Sequence, residues 1–232
     1  FSAHGVSSKV EEETKSRNLN FFDATCPLVT KVHMEVRKHA NAEKDIILIG
    51  HEGHPEVEGT MGRHVNSANS SIYLVQDEDD ALSIKVNKEN QLAVVTQTTL
   101  SVDETKSIIS ILKNRFPEIL IPKKDDICYA TQNRQDAVKQ LALESDFMIV
   151  VGSKNSSNSN RLKELGEKCG CKSVLIDEFN DLDMKSLSNY SRISITAGAS
   201  APESRVMEIA KSLESYIGAK IIEHGEDNEN IY

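Results

Sequence analysis

The sequence predicts an α/β protein built around parallel β-sheets. Short apolar segments rich in β-branched residues alternate with amphipathic segments of helical period along the chain, as they do in βαβ units. The apolar segments are hydrophobic throughout, which is typical of strands buried on both faces. Polar loops follow most of these segments, and ligands bind at that position in open α/β sheets.

Seven segments have the composition of β-strands. They are Phe21–Ala24, Ile46–Ile49, Ile72–Val75, Leu92–Thr96, Phe147–Val151, Ser173–Ile176 and Ile193–Thr196. Helices are predicted after most of them. Pro27 and Pro202 suit the first turn of a helix, Ser101–Glu104 has the form of a capping box, and Thr131 is predicted to cap a further helix.

The chain has a break near residues 117–124 that separates two similar halves. We predict four segments: residues 1–25 as the remainder of a first α/β domain, 26–122 and 123–211 as two further α/β domains, and 212–232 as an acidic tail that is loosely ordered at its end. Residue 1 is Phe rather than Met, and the first residues look like the end of a strand running into a loop. We therefore expect a chain truncated at its N-terminus.

Composition excludes several classes of protein. The 232 residues are 38% hydrophobic and 27% charged, with a net charge of −9. A nucleic-acid partner is not expected, because such proteins usually carry a basic face. A membrane partner is not expected either, since no apolar run approaches the roughly 20 residues that span a bilayer. No signal-peptide pattern is present, and we expect a cytoplasmic protein.

The four cysteines form no CxxC pair. They are Cys26, Cys128, Cys169 and Cys171. Two interpretations stay open from the spacing alone. The thiols are inert and buried, or some of them are ligands that converge from different parts of the fold.

A Ser/Asn-rich loop follows the predicted strand Phe147–Val151. Its hydroxyls, amides and free backbone N–H groups at the start of a helix could hold a phosphate. The alternative is an ordinary helix N-cap with a polar surface loop. Thr98, Ser200, His4 and His54 also lie near predicted strand ends, which favours anion binding. Nucleotide-binding P-loops and dinucleotide-binding glycine motifs are absent.

The segment with His51, His54, Glu56 and Glu58 has three interpretations. A zinc site is possible, although the spacing is not that of an HExxH pair. A Glu beside a His in a partly dry pocket can hold and donate a proton. The carboxylates could also only favour the helix N-terminus, by roughly 0.3–1 kcal/mol each, which is the role expected of Glu58. His33 lies in an amphipathic context and is predicted to be at the surface.

Seven motifs, in order, resemble those of the 4-hydroxy-3-methylbut-2-enyl diphosphate reductase (LytB) family. They are Ser2–Val6, Asp23–Pro27, Gly53–Gly59, Thr96–Thr99, Asp126–Thr131, Ser153–Ser159 and Thr196–Ser200. The resemblance runs from the first residue to about residue 230. It implies three small βαβ-type domains in a trefoil-like arrangement around a central iron–sulfur site, with the first domain incomplete.

The resemblance also implies the chemistry. The expected reaction is the reductive dehydroxylation of an allylic diphosphate to isopentenyl and dimethylallyl diphosphate, the last step of the non-mevalonate pathway, with a [4Fe-4S] cluster and a flavodoxin or ferredoxin as electron donor. Each matched residue takes a family role: cluster ligands Cys26 and Cys128, proton donor Glu56, hydroxyl-orienting Thr98, and diphosphate-gripping or proton-relaying His4, His54, Ser156, Ser157, Asn158 and Ser200.

One departure from the family pattern is important. The family's opening segment carries the first cluster cysteine and a further diphosphate-binding His, and this chain contains neither. We expect both before Phe1, and we expect this chain to assemble no normal cluster by itself. Cys169 and Cys171 match no ligand and are interpreted as structural thiols.

Two other functions would also account for part of this sequence. A non-catalytic diphosphate-binding relative would keep the Ser/Asn-rich loop and lose the cluster, but the joint presence of Cys26, Cys128 and Glu56 argues against it. A phosphosugar isomerase-like domain would explain Ser/Thr loops after parallel strands, but it leaves the cysteines unexplained.

Overall fold

The computed structural model describes residues 1–64, 69–122 and 126–223. The described chain divides into two compact units, Phe1–Cys128 and Tyr129–Tyr232. The predicted acidic tail lies outside the described residues from 224 onward. No described helix is long and apolar enough to cross a membrane.

Unit 1 contains a parallel sheet with helices on both faces. Its described elements are α1 (Ser8–Ser16), α2 (Pro27–Asn41), β1 (Asp45–Ile49), α3 (Pro55–Met61), β2 (Ile72–Val75), α4 (Glu78–Ser83), β3 (Leu92–Thr96) and α5 (Val102–Arg115). The strand order is β2-β1-β3, and both pairings are parallel. Ile49, the last residue of β1, pairs with Val75 and with Thr96, so the three strands end at one edge of the sheet.

Unit 2 repeats this plan. Its described elements are α6 (Tyr129–Glu144), β4 (Phe147–Val151), α7 (Ser157–Lys168), β5 (Lys172–Ile176), a 3₁₀ turn (Phe179–Asp181), α8 (Met184–Leu187), β6 (Ile193–Ala197) and α9 (Glu203–Ile217). The strand order is β5-β4-β6, again all parallel. Val151 pairs with Ile176 and with Ala197 at the end of the sheet.

Each sheet separates two layers of core. In unit 1, Val36 of α2 packs with Ile46 and Leu48 on one face, and Leu112 of α5 packs with Ile47 on the other. Alternate residues of β1 therefore serve opposite layers, because successive side chains of a strand point to opposite faces. All five residues of β1, β3 and β4 are buried, which explains their continuous hydrophobic sequence.

The structure confirms the α/β class and the parallel sheets. Six of the predicted strands are present, with ends that differ by one residue at most. Pro27 opens α2 as predicted. Ser101 caps α5 by accepting the Glu104 N–H, whereas Thr131 lies buried inside α6 and caps nothing.

The predicted strand Phe21–Ala24 is wrong. The segment has no strand assignment, and Phe22 is 92% exposed. Its hydrogen bonds join it to the first residues of the chain: the Phe1 amino group donates to the Phe22 carbonyl, and the Ala24 N–H donates to the Phe1 carbonyl. These two hydrogen bonds do not bury either side of the segment. Its apolar composition therefore does not make it a strand of a sheet.

Core packing in unit 2 leads to a stability prediction. Leu162 of α7 is fully buried against Val138, Met148 and Val150. Leu162→Ala should lower the free energy of unfolding by about 2–5 kcal/mol, since it removes buried methyl groups and leaves a cavity. The matched control is Leu143→Ala on α6, where the side chain is 84% exposed and the change should stay within about 0.5 kcal/mol. Urea denaturation checks both, and equal losses would contradict the packing described.

Candidate functional site

The loop that carries His4 is fastened to the start of α2. The Cys26 N–H donates to the Ala3 carbonyl at 3.0 Å. Cys26 is the N-cap residue of α2, and its sulfur makes no capping hydrogen bond. The half-buried thiol therefore lies at the N-terminus of α2.

His54 caps α3, and this contact fixes the tautomer of its ring. Its Nδ1 accepts the Glu56 backbone N–H at 3.1 Å. Burial, with smaller contributions from His4 and His51, lowers the pKa of His54 to about 4. The ring is therefore neutral near pH 7, and since Nδ1 is an acceptor, its proton is on Nε2. The His4 ring lies edge-on to it, with centroids 5.4 Å apart.

Glu56 is a buried carboxyl, 2% exposed, on the first turn of α3. Its Oε1 accepts the Thr98 backbone N–H at 2.6 Å. Burial raises the pKa of Glu56, and the backbone and side-chain hydrogen bonds from Thr98 oppose that shift. A raised pKa means that the group keeps a proton at a higher pH than an exposed glutamate, as a proton donor requires.

Thr98 connects this carboxyl to Cys128. The Thr98 carbonyl accepts the Cys128 N–H at 2.9 Å. Within unit 1 the structure thus joins every predicted residue by consecutive contacts, from Cys26 through the His4 loop, His54, Glu56 and Thr98 to Cys128.

Gln97 is a contributor that the sequence did not single out. It is 1% exposed, and its Oε1 accepts the His51 N–H at 3.1 Å. Its Nε2 donates to the Thr99 hydroxyl at 3.1 Å. Gln97 therefore holds the loop after β1 against the loop after β3. The available signal was its place within the Thr96–Thr99 motif, between a strand and Thr98.

The predicted residues of unit 2 lie around the N-terminus of α7. Ser156 is the N-cap, and its Oγ accepts the Ser159 N–H at 3.3 Å. Ser157 is the first helical residue. Asn158 is 5% exposed, and neither its Oδ1 nor its Nδ2 has a hydrogen-bond partner among the described residues. A buried amide with no partner costs free energy, and a ligand at this helix N-terminus would remove that cost.

Ser200 is brought near this helix by its loop. An ideal Cβ on Gly198 would lie 2.1 Å from the Ser159 Oγ, so the loop after β6 passes directly against the first turn of α7. Only glycine permits this approach. Ser200 is exposed in the turn that follows, where its hydroxyl is accessible.

The remaining cysteines differ from each other. Cys171 is 1% exposed in the core of unit 2, and burial raises the pKa of its thiol, as a structural thiol requires. Cys169 is the exposed C-cap of α7 and lies outside the core, so its interpretation as a structural thiol stays a prediction.

A zinc site at His51, His54, Glu56 and Glu58 is not supported. Across residues 1–64, 69–122 and 126–223, no three His, Cys, Asp or Glu side chains are grouped to hold a metal ion. Cys26 and Cys128 supply soft thiolate donors from two separate loops, and this donor type fits iron–sulfur ligation.

The prediction that His33 lies at the surface is wrong. It is 5% exposed, and burial, followed by the charges of Arg63 and Arg37, lowers its pKa to about 4. Its ring packs on Gly5: an ideal Cβ at that glycine would lie 2.5 Å from the His33 Cε1. His33 thus supports the turn that carries His4.

Gly5 and Gly53 make a matched pair for a prediction. Both have positive φ, +71° and +77°, and each adjoins a site histidine. Gly53→Ala meets no atom within 4 Å and should cost only the backbone strain, about 1–2 kcal/mol. Gly5→Ala should cost more, because its methyl group also collides with His33. Urea unfolding compares the two, and a smaller loss for Gly5→Ala would contradict this packing.

Known proteins resemble this chain over most of its length. A family model described as LytB protein matches residues 1–214. The 4-hydroxy-3-methylbut-2-enyl diphosphate reductase of Alcanivorax borkumensis is 55% identical over 231 residues, covering 100% of this chain and 74% of that protein. The corresponding protein of Saccharophagus degradans is 56% identical over 231 residues, with 100% and 74% covered.

A solved structure gives the same result. The E-1-hydroxy-2-methyl-but-2-enyl-4-diphosphate reductase from Plasmodium falciparum matches with a TM-score of 0.86 and 39% identity, covering 92% of this chain and 66% of that one. This chain spans about two thirds of that structure. The chain therefore belongs to the LytB protein family.

Proposed function

We propose that the protein catalyses the reductive dehydroxylation of 4-hydroxy-3-methylbut-2-enyl diphosphate to isopentenyl diphosphate and dimethylallyl diphosphate, the last step of the non-mevalonate isoprenoid pathway. The reaction consumes two electrons and two protons and releases the hydroxyl as water. One observation carries the proposal: Glu56, a buried carboxyl whose pKa is raised by burial, lies in the series of contacts that joins Cys26 to Cys128. The names of its relatives supply the substrate.

Cys26 and Cys128 would hold a [4Fe-4S] cluster as two of its ligands. When bound, the cluster supplies the electrons that reduce the allylic carbon–oxygen bond and acts as a Lewis acid toward the leaving oxygen. Their thiol chemistry and their attachment to the loops of His4 and Thr98 support this assignment.

Glu56 would donate the proton with which the hydroxyl leaves as water. Its burial keeps it protonated at a higher pH than an exposed glutamate. The Thr98 N–H holds Oε1, so the carboxyl has a fixed direction. Thr98 would orient the substrate hydroxyl with its side chain, because its backbone is already fixed to Glu56 and to Cys128.

Each unit, taken by itself, offers neutral donors suited to a diphosphate. His54 carries its proton on Nε2 and can donate it to a phosphate oxygen, with His4 beside it. On unit 2, Ser156, Ser157, Asn158 and Ser200 provide hydroxyl and amide donors around a helix N-terminus. Each hydrogen bond to a charged group contributes roughly 1.5–3 kcal/mol.

The reductant is proposed to be a carrier of the flavodoxin or ferredoxin type, with the reaction in the cytoplasm. Membership of the LytB protein family supports both proposals. The reaction needs external electrons, since no residue of this chain is consumed by it.

The test uses the protein encoded by the complete gene, reconstituted anaerobically with iron and sulfide. Iron per chain and product formation with a reduced dye as electron source are measured for the wild type, Cys26→Ser, Cys128→Ser and the control Cys169→Ser. We expect about four irons per chain at full occupancy in the wild type and the control, with both products formed. The two other variants should lose iron and turnover.

Two outcomes would overturn the proposal. A wild type that binds the diphosphate without holding iron would indicate the non-catalytic binding relative. Full turnover in Cys128→Ser would remove this cysteine from the cluster.

A further inference from the structure

An ion pair inside unit 1 joins the two segments that carry the proposed cluster ligands. Lys31 lies on α2, the helix that Cys26 caps. Asp126 lies two residues before Cys128. The Lys31 Nζ is 2.9 Å from the Asp126 Oδ1, and the carboxylate side chain is 0% exposed.

The second oxygen of Asp126 has a partner of its own. Its Oδ2 accepts the backbone N–H of Thr96, the last residue of β3, at 3.2 Å. Cys128 and Thr98 follow Asp126 and Thr96 by two residues each, and the Cys128 N–H donates to the Thr98 carbonyl. The segment 126–128 is therefore attached to the end of β3 at two points, and the Lys31 side chain attaches it to α2.

A carboxylate at this depth must be paired, because an isolated buried charge is strongly disfavoured. Lys31 also approaches Glu35 on its own helix, at 3.9 Å. That distance is 1 Å longer than its contact with Asp126, and Glu35 is 27% exposed. The contact with Asp126 is therefore the one expected to hold Lys31.

We propose that the Lys31–Asp126 ion pair is a positioning device that holds the Cys26 and Cys128 thiols at the separation one cluster requires. The inference rests on the proposed function, because it takes these cysteines as ligands. Groups that hold metal ligands in place affect metal affinity although they touch no metal. Neither Lys31 nor Asp126 touches the substrate in this proposal.

The central experiment measures cluster retention in the complete, reconstituted protein. Lys31→Met removes the cation, and Asp126→Asn removes the anion while keeping an acceptor for the Thr96 N–H. Both variants should lose their cluster to an iron chelator about 10-fold faster or more than the wild type. The visible absorbance of the cluster follows this rate. The double variant should be no faster than either single variant, because both remove one interaction.

Matched controls separate positioning from general stability. Glu35→Gln removes only the weaker contact of Lys31, and Lys163→Met removes a lysine paired at i,i+4 with Glu167 on α7. Both should lose the cluster at the wild-type rate. Lys31→Arg should restore most of the retention, since it can still pair with the carboxylate. The urea midpoints of the cluster-free proteins show whether folding has changed.

A second measurement needs no cluster. In the iron-free protein, hydrogen exchange of the segment 126–128 should be at least several-fold faster in Lys31→Met than in the wild type, while β4 stays unchanged. Wild-type rates of both cluster loss and exchange in Lys31→Met and Asp126→Asn would overturn the inference. A further outcome is that the wild type binds no iron while segment 126–128 still exchanges faster in Lys31→Met than in the wild type. That result would contradict the proposed function, and the ion pair would then only hold the two segments together.

Discussion

Glu56→Gln should lower kcat by about 10²- to 10⁴-fold, the range expected for loss of a positioned proton donor. Glutamine has nearly the same shape and can still accept the Thr98 N–H that Glu56 receives. It has no acidic proton to give to the leaving hydroxyl. Iron content and KM should stay near the wild-type values, so the loss is confined to turnover with a reduced dye as electron source.

The control for this variant lies on the same helix turn. Glu58 is exposed and contributes only a negative charge near the N-terminus of α3. Glu58→Gln should leave kcat essentially unchanged. If both variants were equally slow, the loss of turnover would come from the lost negative charge, and Glu56 would not be the proton donor.

The pH dependence has a definite sign. Burial raises the pKa of Glu56 in the folded protein above the ordinary value of 4.5, so the folded state binds more protons than the unfolded state between these two pKa values. The contribution of this group to stability is complete below pH 4.5 and is lost as pH rises through the folded pKa. Turnover should fall over the same range as the donor ionises, and Glu56→Gln should lack both trends.

Asn158→Leu should stabilise the ligand-free protein and weaken substrate binding. The side chain of Asn158 is buried, and neither polar atom has a partner among the described residues. A leucine of similar shape removes that unpaired amide and should raise the free energy of unfolding of the ligand-free protein by about 1–3 kcal/mol. The same change removes a donor to the diphosphate and should raise KM about 10- to 100-fold.

Asn160 provides the matched control two residues later. Its Nδ2 donates to the Lys154 carbonyl at 2.8 Å and to the Ser156 carbonyl at 2.9 Å. Asn160→Leu breaks both contacts and should destabilise the protein. Urea unfolding and steady-state kinetics test the pair, and destabilisation by Asn158→Leu would show that its amide is not the unpaired group described here.

Much of the sheet structure could be predicted because local composition determines it. Strands such as β1 and β4 are buried on both faces, and their sequences are apolar without interruption from Ile46 to Ile49 and from Phe147 to Val151. Phe21–Ala24 has a similar composition but lacks the two covering layers. Burial of that segment depends on its surroundings, which no local pattern contains.

For the candidate site, the sequence predicts residues but not the contacts that join them. Cys26, Glu56, Thr98 and Cys128 were found through their motifs. The ion pair between Lys31 and Asp126 could not be predicted, because the two residues are 95 positions apart in the sequence. An isolated lysine on a helix and an acid before a cysteine look like surface charges until the fold brings them together.

The strand orders β2-β1-β3 and β5-β4-β6 have a consequence for the two loop sets. In each unit the chain first moves from the central strand to one neighbour and then crosses to the other side. The strand order therefore switches between the parallel neighbours β1 and β3, and again between β4 and β6. At such a topological switch point the flanking loops diverge and open a crevice. The loops with Glu56 and Thr98 border the first crevice, and those with Asn158 and Ser200 border the second. The loops after β2 and β5 lie on the far side of each central strand, so Gln76 and Asp177 lie away from these switch points. Gln76 nevertheless supports the loop after β1, because its Oε1 accepts the Glu52 N–H at 2.9 Å.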